Sequence, residues 1–487
     1  VPIRTGTQFI EKLNAMKNVI WVDGKRVEGP LSQHPYFSGI IQSKAELYDL
    51  QAEPDRLEQM TYSSPLTGER VGLSFLTPVC REDLQRRRVM MSEWAKHTSG
   101  LMGRSPDYMN TAIMAFASAA ELFGAKNRVY GERLRRFYEY CREQDLSTAH
   151  TFIRPPVDRH HVTSEGTDEL PSLSVIRTNA EGMIVDGARL MATQGGVTDE
   201  LLVFPSYIPE IFAEDRHPLS FAFAIPSNTK GITFLGRTPY HEGSRFDSPL
   251  GSRFDEIDMI VRFDHVLIPW ERVFLYGDVA LANRIYEESG FYPQAMHQVL
   301  CRMKVKLEFI AGLMATMAEL LEIAAAPTVK EWLLEGYETA VILEGMLLSS
   351  EAAARPNRWG VWTPSAVPLY TGLRTYSRVY PKLLQSMQQL GASHLFSNAS
   401  AADLQSEHGE WLRGVLGAPD GRSDGERKSH VFHAARELCA SSFGARQSVY
   451  EQFFFGDPMR VMERFYEQCD LEACREHTDR FLNGSRD

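Results

Sequence analysis

Four short segments of the 487-residue chain carry residue types at spacings that could do chemistry. The first is Gly103-Arg104-Ser105-Pro106-Asp107-Tyr108. Ser, Pro and an acid in this order predict a helix start, with Ser105 as N-cap and Pro106 at the first helical position. Arg104 then stands just before a helix N-terminus, where a fixed cation, open backbone N–H groups and Tyr108 one turn in suit an anionic or phenolic oxygen. The plainer account is a capped helix with a surface arginine. The second segment runs from Thr148 to Arg159 and holds His150, Thr151, Phe152, Arg154 and the stiff pair Pro155-Pro156;. Its histidine can take or give a proton near neutral pH, or can simply be structural. The third, Leu190 to Gly196, ends Thr193-Gln194-Gly195-Gly196, where two glycines would let backbone approach a planar ligand;. The fourth, Ser441-Ser442-Phe443-Gly444-Ala445-Arg446, sets an arginine among small residues, suited to a diphosphate or to helix packing.

Several other chemistries are missing from the pattern. There is no G-x-G-x-x-G after a strand, no phosphate loop, no G-x-S-x-G elbow and no H-E-x-x-H helix;. The histidine pairs His160-His161 and His430/His433 lack the carboxylate or cysteine company of a metal site, so no metal is expected;. The six cysteines form no C-x-x-C pair and read as reduced thiols of a cytoplasmic protein;. A net charge of −11 argues against nucleic acid as a partner;. No apolar run is long enough to span a membrane, and the first 17 residues carry no signal-peptide core;.

The elements that must position these segments fall into three zones. Residues 1–148 read as a helical domain, with amphipathic stretches at Thr7–Lys17, Glu82–Lys96, Pro106–Phe123 and Gly131–Gln144;. Residues 149–278 read as strands. A hairpin turns at Asn179-Ala180-Glu181-Gly182, and further strands are expected at Leu219–Ile225, Gly231–Arg237 and Met259–Ile268, making an antiparallel barrel or sandwich;. In residues 279–487 the helical period returns. Leu300, Met303, Leu307, Ile310, Met314, Met317 and Leu321 share one face, and further helices are expected around 332–347, at Val379–Leu390 and at Val431–Phe443, a four-helix bundle;. Gly414 to Arg427 reads as a surface loop;.

In order along the chain, RTGTQFIEKL, HPYFSGIIQSKAELYDLQ, LMGRSPDY, HTFIRPPVDRH, VDGARLMAT, SPLGSRFDEIDMIVRFDHVLIPWERVFLYGD, KVKLEFIAGL and SSFGARQSVYEQFFFGDP are landmarks of one family. From about Thr5 to about Arg464 the chain resembles the large oxygenase component of the two-component 4-hydroxyphenylacetate 3-monooxygenases, flavin-dependent phenol hydroxylases. The resemblance implies an α+β, acyl-CoA-dehydrogenase-like architecture, which the three zones match, packed as a homotetramer. It implies FAD used as FADH2 and supplied by a separate NAD(P)H:flavin reductase, with O2 and a small phenol as the other partners. Carried over, Arg104, Tyr108 and His150 are the catalytic group that holds the phenol, with Ser105, Pro205 and Ser206 on the substrate side. His150, Thr151, Phe152, Pro156, Val157, Asp158, Arg159, Thr193, Ser442, Phe443, Gly444, Ala445 and Arg446 become flavin contacts.

Three places depart from the family pattern: Arg154, the run Gln194 to Val197, and the charged stretch Ser206 to His217, read as a lid. They bear on which phenol is used. The implied reaction is ortho-hydroxylation of a para-substituted phenol, 4-hydroxyphenylacetate first, to a catechol. A halophenol, a hydroxycinnamate or a tyrosine-derived precursor, free or carrier-bound, is the alternative, and a non-enzymatic flavin-binding protein a remoter one. The sister 4-hydroxybutyryl-CoA dehydratases share the fold but need converging cluster cysteines, and Glu93 to Arg104 holds none.

Overall fold

A computed structural model describes residues 3–155, 172–207, 217–241, 243–417 and 424–483. Helices form where the N-terminal pattern is amphipathic. Helix α1 (Gly6–Met16) opens on a capping box between Thr5 and Gln8;. Helices α2 (Ser38–Ala52), α3 (Arg81–His97), α4 (Pro106–Ser118) and α5 (Arg128–Glu143) follow. The helix expected over Pro106–Phe123 breaks at Ala119, and Ala120–Phe123 is a separate turn. From Pro106 to Ala117 every residue of α4 is buried, as its Ala- and Met-rich composition requires;.

The strands of the two large sheets are β1 (Ile20–Val22), β2 (Lys25–Arg26), β3 (Thr148–Thr151), β4 (Ser174–Thr178), β5 (Gly182–Thr193), β6 (Glu200–Val203), β7 (Phe221–Pro226), β8 (Ile232–Gly236), β9 (Asp258–Pro269) and β10 (Val273–Tyr276). They make a six-stranded sheet, β2-β1-β8-β9-β5-β4, and a four-stranded sheet, β10-β7-β6-β3. The two meet where Phe223 of β7 sets its ring edge-on to Phe263 of β9, 6.3 Å between centroids. The expected β4–β5 hairpin is present, its turn held by Asn179 Oδ1 accepting from the N–H groups of Glu181 and Gly182;. Antiparallel pairing gives way at two places: β1 pairs parallel with β8, and β3 with β6. Long connections separate the partners in both pairs, and without a hairpin nothing imposes the antiparallel sense. β1 and β2 also carry sheet structure into the zone read as helical.

The longer helices from Phe291 onward are α6 (Phe291–Leu320), α7 (Pro327–Ala352), α8 (Ala366–Gly391), α9 (Gly425–Ala440), α10 (Ser442–Phe453), α11 (Pro458–Tyr466) and α12 (Leu471–Asn483). Helix α6 packs against α7, α8 and α9 and also against α3 and α4, so it is the shared core of the bundle and the N-terminal helices. Its polar residues survive burial because each finds a partner across an interface, such as Gln298 donating to Asp107 and His297 meeting Glu351;. The single helix expected over Val431–Phe443 is two. Ser441 is extended, its hydroxyl accepts from Gly444 N–H and donates to the Glu437 carbonyl, and a new helix N-terminus begins at Ser442;. The segment read as a loop from Gly414 is partly helical, since α9 starts at Gly425. No helix among the described residues is long and apolar enough to cross a membrane.

Candidate active site

Arg104 stands where the sequence puts it, one residue before the N-cap of α4, with Pro106 as the first helical residue. The cap itself differs from expectation. Ser105 does not cap the helix; its hydroxyl donates to Asp107 Oδ1 at 2.5 Å, and Asp107 Oδ2 accepts from Gln298 at 2.9 Å. Burial pushes the Asp107 carboxyl up, and these two donors hold it down in part. The turn before it is fixed from below. Glu256, fully buried, accepts the N–H of Gly103 at 2.9 Å on one oxygen and the N–H of Arg104 at 2.6 Å on the other.

The guanidinium of Arg104 enters an aromatic cage. Its carbon lies 4.3 Å from the ring centre of Tyr108, 4.4 Å from Phe454 and 5.5 Å from Tyr450;. Gly103 allows this, because a Cβ there would fall 2.2 Å from the Tyr450 ring. Nε and Nη1 of Arg104 are buried and meet no hydrogen-bond acceptor among the described residues. Desolvation works against the charge, but Tyr450, Tyr108 and Glu256 outweigh it, so the guanidinium stays ionised;.

His150, on β3, faces the same cage. Its ring stacks on Phe152 with centroids 5.8 Å apart and lies 6.0 Å from Tyr108. Burial, and then the charge of Arg104, hold its pKa well below the ordinary histidine value, so the imidazole is neutral at pH 7;. The strand end is tied to the next segment: the Ser206 hydroxyl donates to the Phe152 carbonyl, and Phe204 N–H donates to Thr151 O at 3.1 Å. Pro205 is buried and its carbonyl accepts from the Tyr286 hydroxyl at 3.0 Å. Thr151 directs its hydroxyl away, to the Leu190 carbonyl at 2.7 Å.

Thr193 and Arg446 converge on one carboxylate. Asp258 accepts from Thr193 at 2.8 Å and from Arg446 at 2.8 and 3.0 Å, while Arg446 also reaches Glu256 at 3.3 Å. Desolvation would raise Asp258, but Arg446 and its other donors hold it below the usual carboxylate range. Arg446 is thus engaged by two acids from within the chain. Phe443 is buried, and Gly444 packs against the end of α9, where a Cβ would meet the Leu438 carbonyl at 2.1 Å. Ser442 and Ala445 are exposed on the first turn of α10. Gly195 and Gly196 approach no open space: added Cβ atoms would strike Phe234 and Ile20 of the protein itself. Pro156, Val157, Asp158 and Arg159, and most of the stretch read as a lid, lie outside the described residues.

Sequence reasoning gave no role to Glu256, Asp258, Gln194, Tyr450 or Phe454. Acids beside an apolar strand are ordinarily solvated, so only the place of FDEID inside a family landmark set Glu256 and Asp258 apart;. Gln194, left-handed at φ 59°, donates to Glu256 at 2.7 Å, and its side-chain oxygen meets no donor among the described residues. The buried Tyr450 hydroxyl also has no partner among the described residues. Open donors on Arg104 and Tyr450, an aromatic wall and the exposed first turn of α10 fit a planar, anionic group such as a flavin;.

Residues 5–275 match the family model described as 4-hydroxyphenylacetate 3-hydroxylase N terminal, and residues 282–483 match its C-terminal counterpart. The chain belongs to the 4-hydroxyphenylacetate 3-hydroxylase family. It is 38% identical to the 4-hydroxyphenylacetate 3-monooxygenase oxygenase component of Geobacillus sp., over 100% of this chain and 98% of that protein. The crystal structure of an oxygenase component complexed with FAD and 4-hydroxyphenylacetate superposes with a TM-score of 0.91, at 36% identity, covering 99% of this chain and 98% of that one. At 31% identity, over 93% of this chain and 85% of the relative, stands a Streptomyces globisporus monooxygenase named for a chlorohydroxyphenyl substrate on a peptidyl-carrier protein.

Proposed function

We propose that the chain is the oxygenase component of a two-component flavin-dependent monooxygenase that hydroxylates 4-hydroxyphenylacetate ortho to its hydroxyl. Family membership supports the reaction class, and one observation supports the site: a buried arginine with uncommitted donors beside a neutral histidine. Reduced FAD, delivered by a separate reductase, supplies with O2 an electrophilic oxygen atom. A phenol ring accepts that atom best as the phenolate, and a free phenol ionises only near pH 10. Neutral His150 accepts the phenolic proton, and Arg104 holds the resulting oxyanion with a charge that does not titrate;. Tyr108 flanks the same oxygen. Phe454, packed on Arg104 and Tyr108, shields that side of the site from water;. The family resemblance assigns Pro205 and Ser206 to the substrate's acidic tail and Ser105 to the substrate side. Thr151, Phe152, Thr193 and Ser442 to Arg446 would border the flavin, Arg446 acting through the carboxylates it holds; for Pro156 to Arg159 the same role rests on the family resemblance alone.

Chemically reduced FAD, O2 and a panel of para-substituted phenols test this, with catechol and peroxide measured together. Catechol from 4-hydroxyphenylacetate is expected, and peroxide alone across the panel would overturn the reading. Turnover with NADH and FAD and no reductase would overturn the two-component assignment. The Streptomyces relative motivates one further arm, a carrier-bound phenol; preference for it would replace the substrate and keep the chemistry.

The divisions 1–148, 149–278 and 279–487 serve as three functional units. Exposed apolar side chains on the C-terminal helices, Tyr337, Val341, Met459, Phe481 and Leu482, support a homotetramer built through them;. A monomer by light scattering at micromolar concentration would contradict that. Six unpaired cysteines suit a cytoplasmic setting;.

A further inference from the structure

We infer that Glu256 is the positioning residue of the phenol site: it holds the Arg104 turn so that the guanidinium enters the aromatic cage with Nε and Nη1 uncommitted among the described residues. This rests on the function proposed above. Glu256 is fully buried, and its four bonds come from three separate parts of the chain. Gly103 N–H and Arg104 N–H belong to the turn before α4, Gln194 to the end of β5, and Arg446 to α10.

The manner of the grip matters. A carboxylate bonded directly to the Arg104 guanidinium would occupy the donors that a ligand oxygen needs and would oppose its charge at contact distance. Glu256 instead takes the arginine by its backbone. Its bonds fix the direction in which the side chain leaves the turn, and the bond from Arg446 offsets its own negative charge. Gln194 adds a second strut, donating to Glu256 and, at 3.3 Å, to the Arg104 carbonyl. The Arg104 side chain is therefore aimed from behind by a buried anion and confined from the sides by Tyr108 and Phe454.

Glu256→Gln tests the role. It keeps the shape but turns one acceptor into an NH2 that faces a backbone N–H. The full cycle comprises wild type, Glu256→Gln, Arg104→Ala and the double variant. Two quantities are read: the KM for 4-hydroxyphenylacetate and, on FAD-free protein, the calorimetric affinity for the same phenol. Glu256→Gln is expected to weaken both by about ten- to a hundredfold, as a misplacement of about 1 Å does. Once Arg104 is alanine it should cost little more, because a residue that acts through another is not additive with it. Glu256→Asp, which keeps the charge, should recover part of the affinity. Multiplying effects in the double variant, or unchanged KM and affinity in Glu256→Gln, would overturn the role. If Glu256→Gln shows no cooperative melting, Gln194→Met takes its place in the cycle with the same expected sign and the same overturning result. A wild type that neither binds nor hydroxylates any phenol would sink the proposed function, and with it this role; an active wild type with an additive cycle sinks the role alone.

Discussion

Two buried cationic sites lie side by side in this protein, and they are resolved in opposite ways. Arg302 and Lys306 on α6 are both buried, and both are bonded to Glu451 of α10, Arg302 by two bonds of 2.6 and 2.9 Å and Lys306 by one of 2.7 Å. Lys306 also donates to Gln447 at 2.7 Å. Arg104, a neighbour through Phe454, is held by aromatic rings and a backbone grip and keeps two donors open. Leaving a charge in low dielectric without a partner is costly, and in the function proposed above the phenol oxygen would supply the partner that Arg104 lacks among the described residues;. One cluster is finished by folding, and the other, on the proposed function, would be finished by binding.

The sharpest way to break the contrast is Glu451→Ala. It leaves two buried cations facing each other and should destabilise the fold by about 3–5 kcal/mol. Urea denaturation measures it, and a loss under about 1 kcal/mol would mean the cluster is not a folding element. The acid dependence follows the same pair. Desolvation opposes the charge, but Arg302 and Lys306 hold Glu451 down at about 2, so its stabilisation is present above pH 4.5 and is lost as pH falls toward 2;.

Arg104→Lys probes the opposite site. No acid partner is lost, so the melting temperature should stay close to wild type, while catechol formed per reduced flavin falls on the order of a hundredfold, nearly as far as in Arg104→Ala. Wild-type coupling in the lysine variant would show that charge alone suffices there.

The smallest expected effect belongs to His150. Its folded pKa is depressed, so its contribution to stability is present above about pH 6.5, the unfolded value, and is lost as pH drops below it;. Wild type should lose stability between pH 6.5 and 5 faster than His150→Gln, by at most about 1.4 kcal/mol per pH unit. Parallel curves for the two proteins, followed by urea midpoint, would show that the histidine is not held neutral.

What the sequence disclosed of this contrast follows the range of the forces. The start of α4, the β4–β5 hairpin and the apolar face of α6 are local patterns, read from spacing over a turn or two. So are Arg104, Tyr108 and His150, whose convergence the family resemblance supplied. Glu256 was silent because its partners stand up to 190 residues away, and nothing near it announces burial. Gly195 and Gly196 misled, since the close neighbours that demand glycine are Phe234 and Ile20 rather than a ligand. The break at Ser441 was hidden because apolar periodicity runs through it, while a single hydroxyl with two bonds ends one helix and starts the next.

The Tyr450 ring resting on Gly103 has a consequence for how this enzyme can be altered. Position 103 cannot accept even a methyl group while Tyr450 keeps its place, since the gap is 2.2 Å. Enlargement at 103 is therefore open only once residue 450 has been shortened. A search for variants that take bulkier phenols through single substitutions will find this corner of the pocket closed. A paired library, in which Tyr450 is shortened as Gly103 is enlarged, reaches shapes that no single-step path visits.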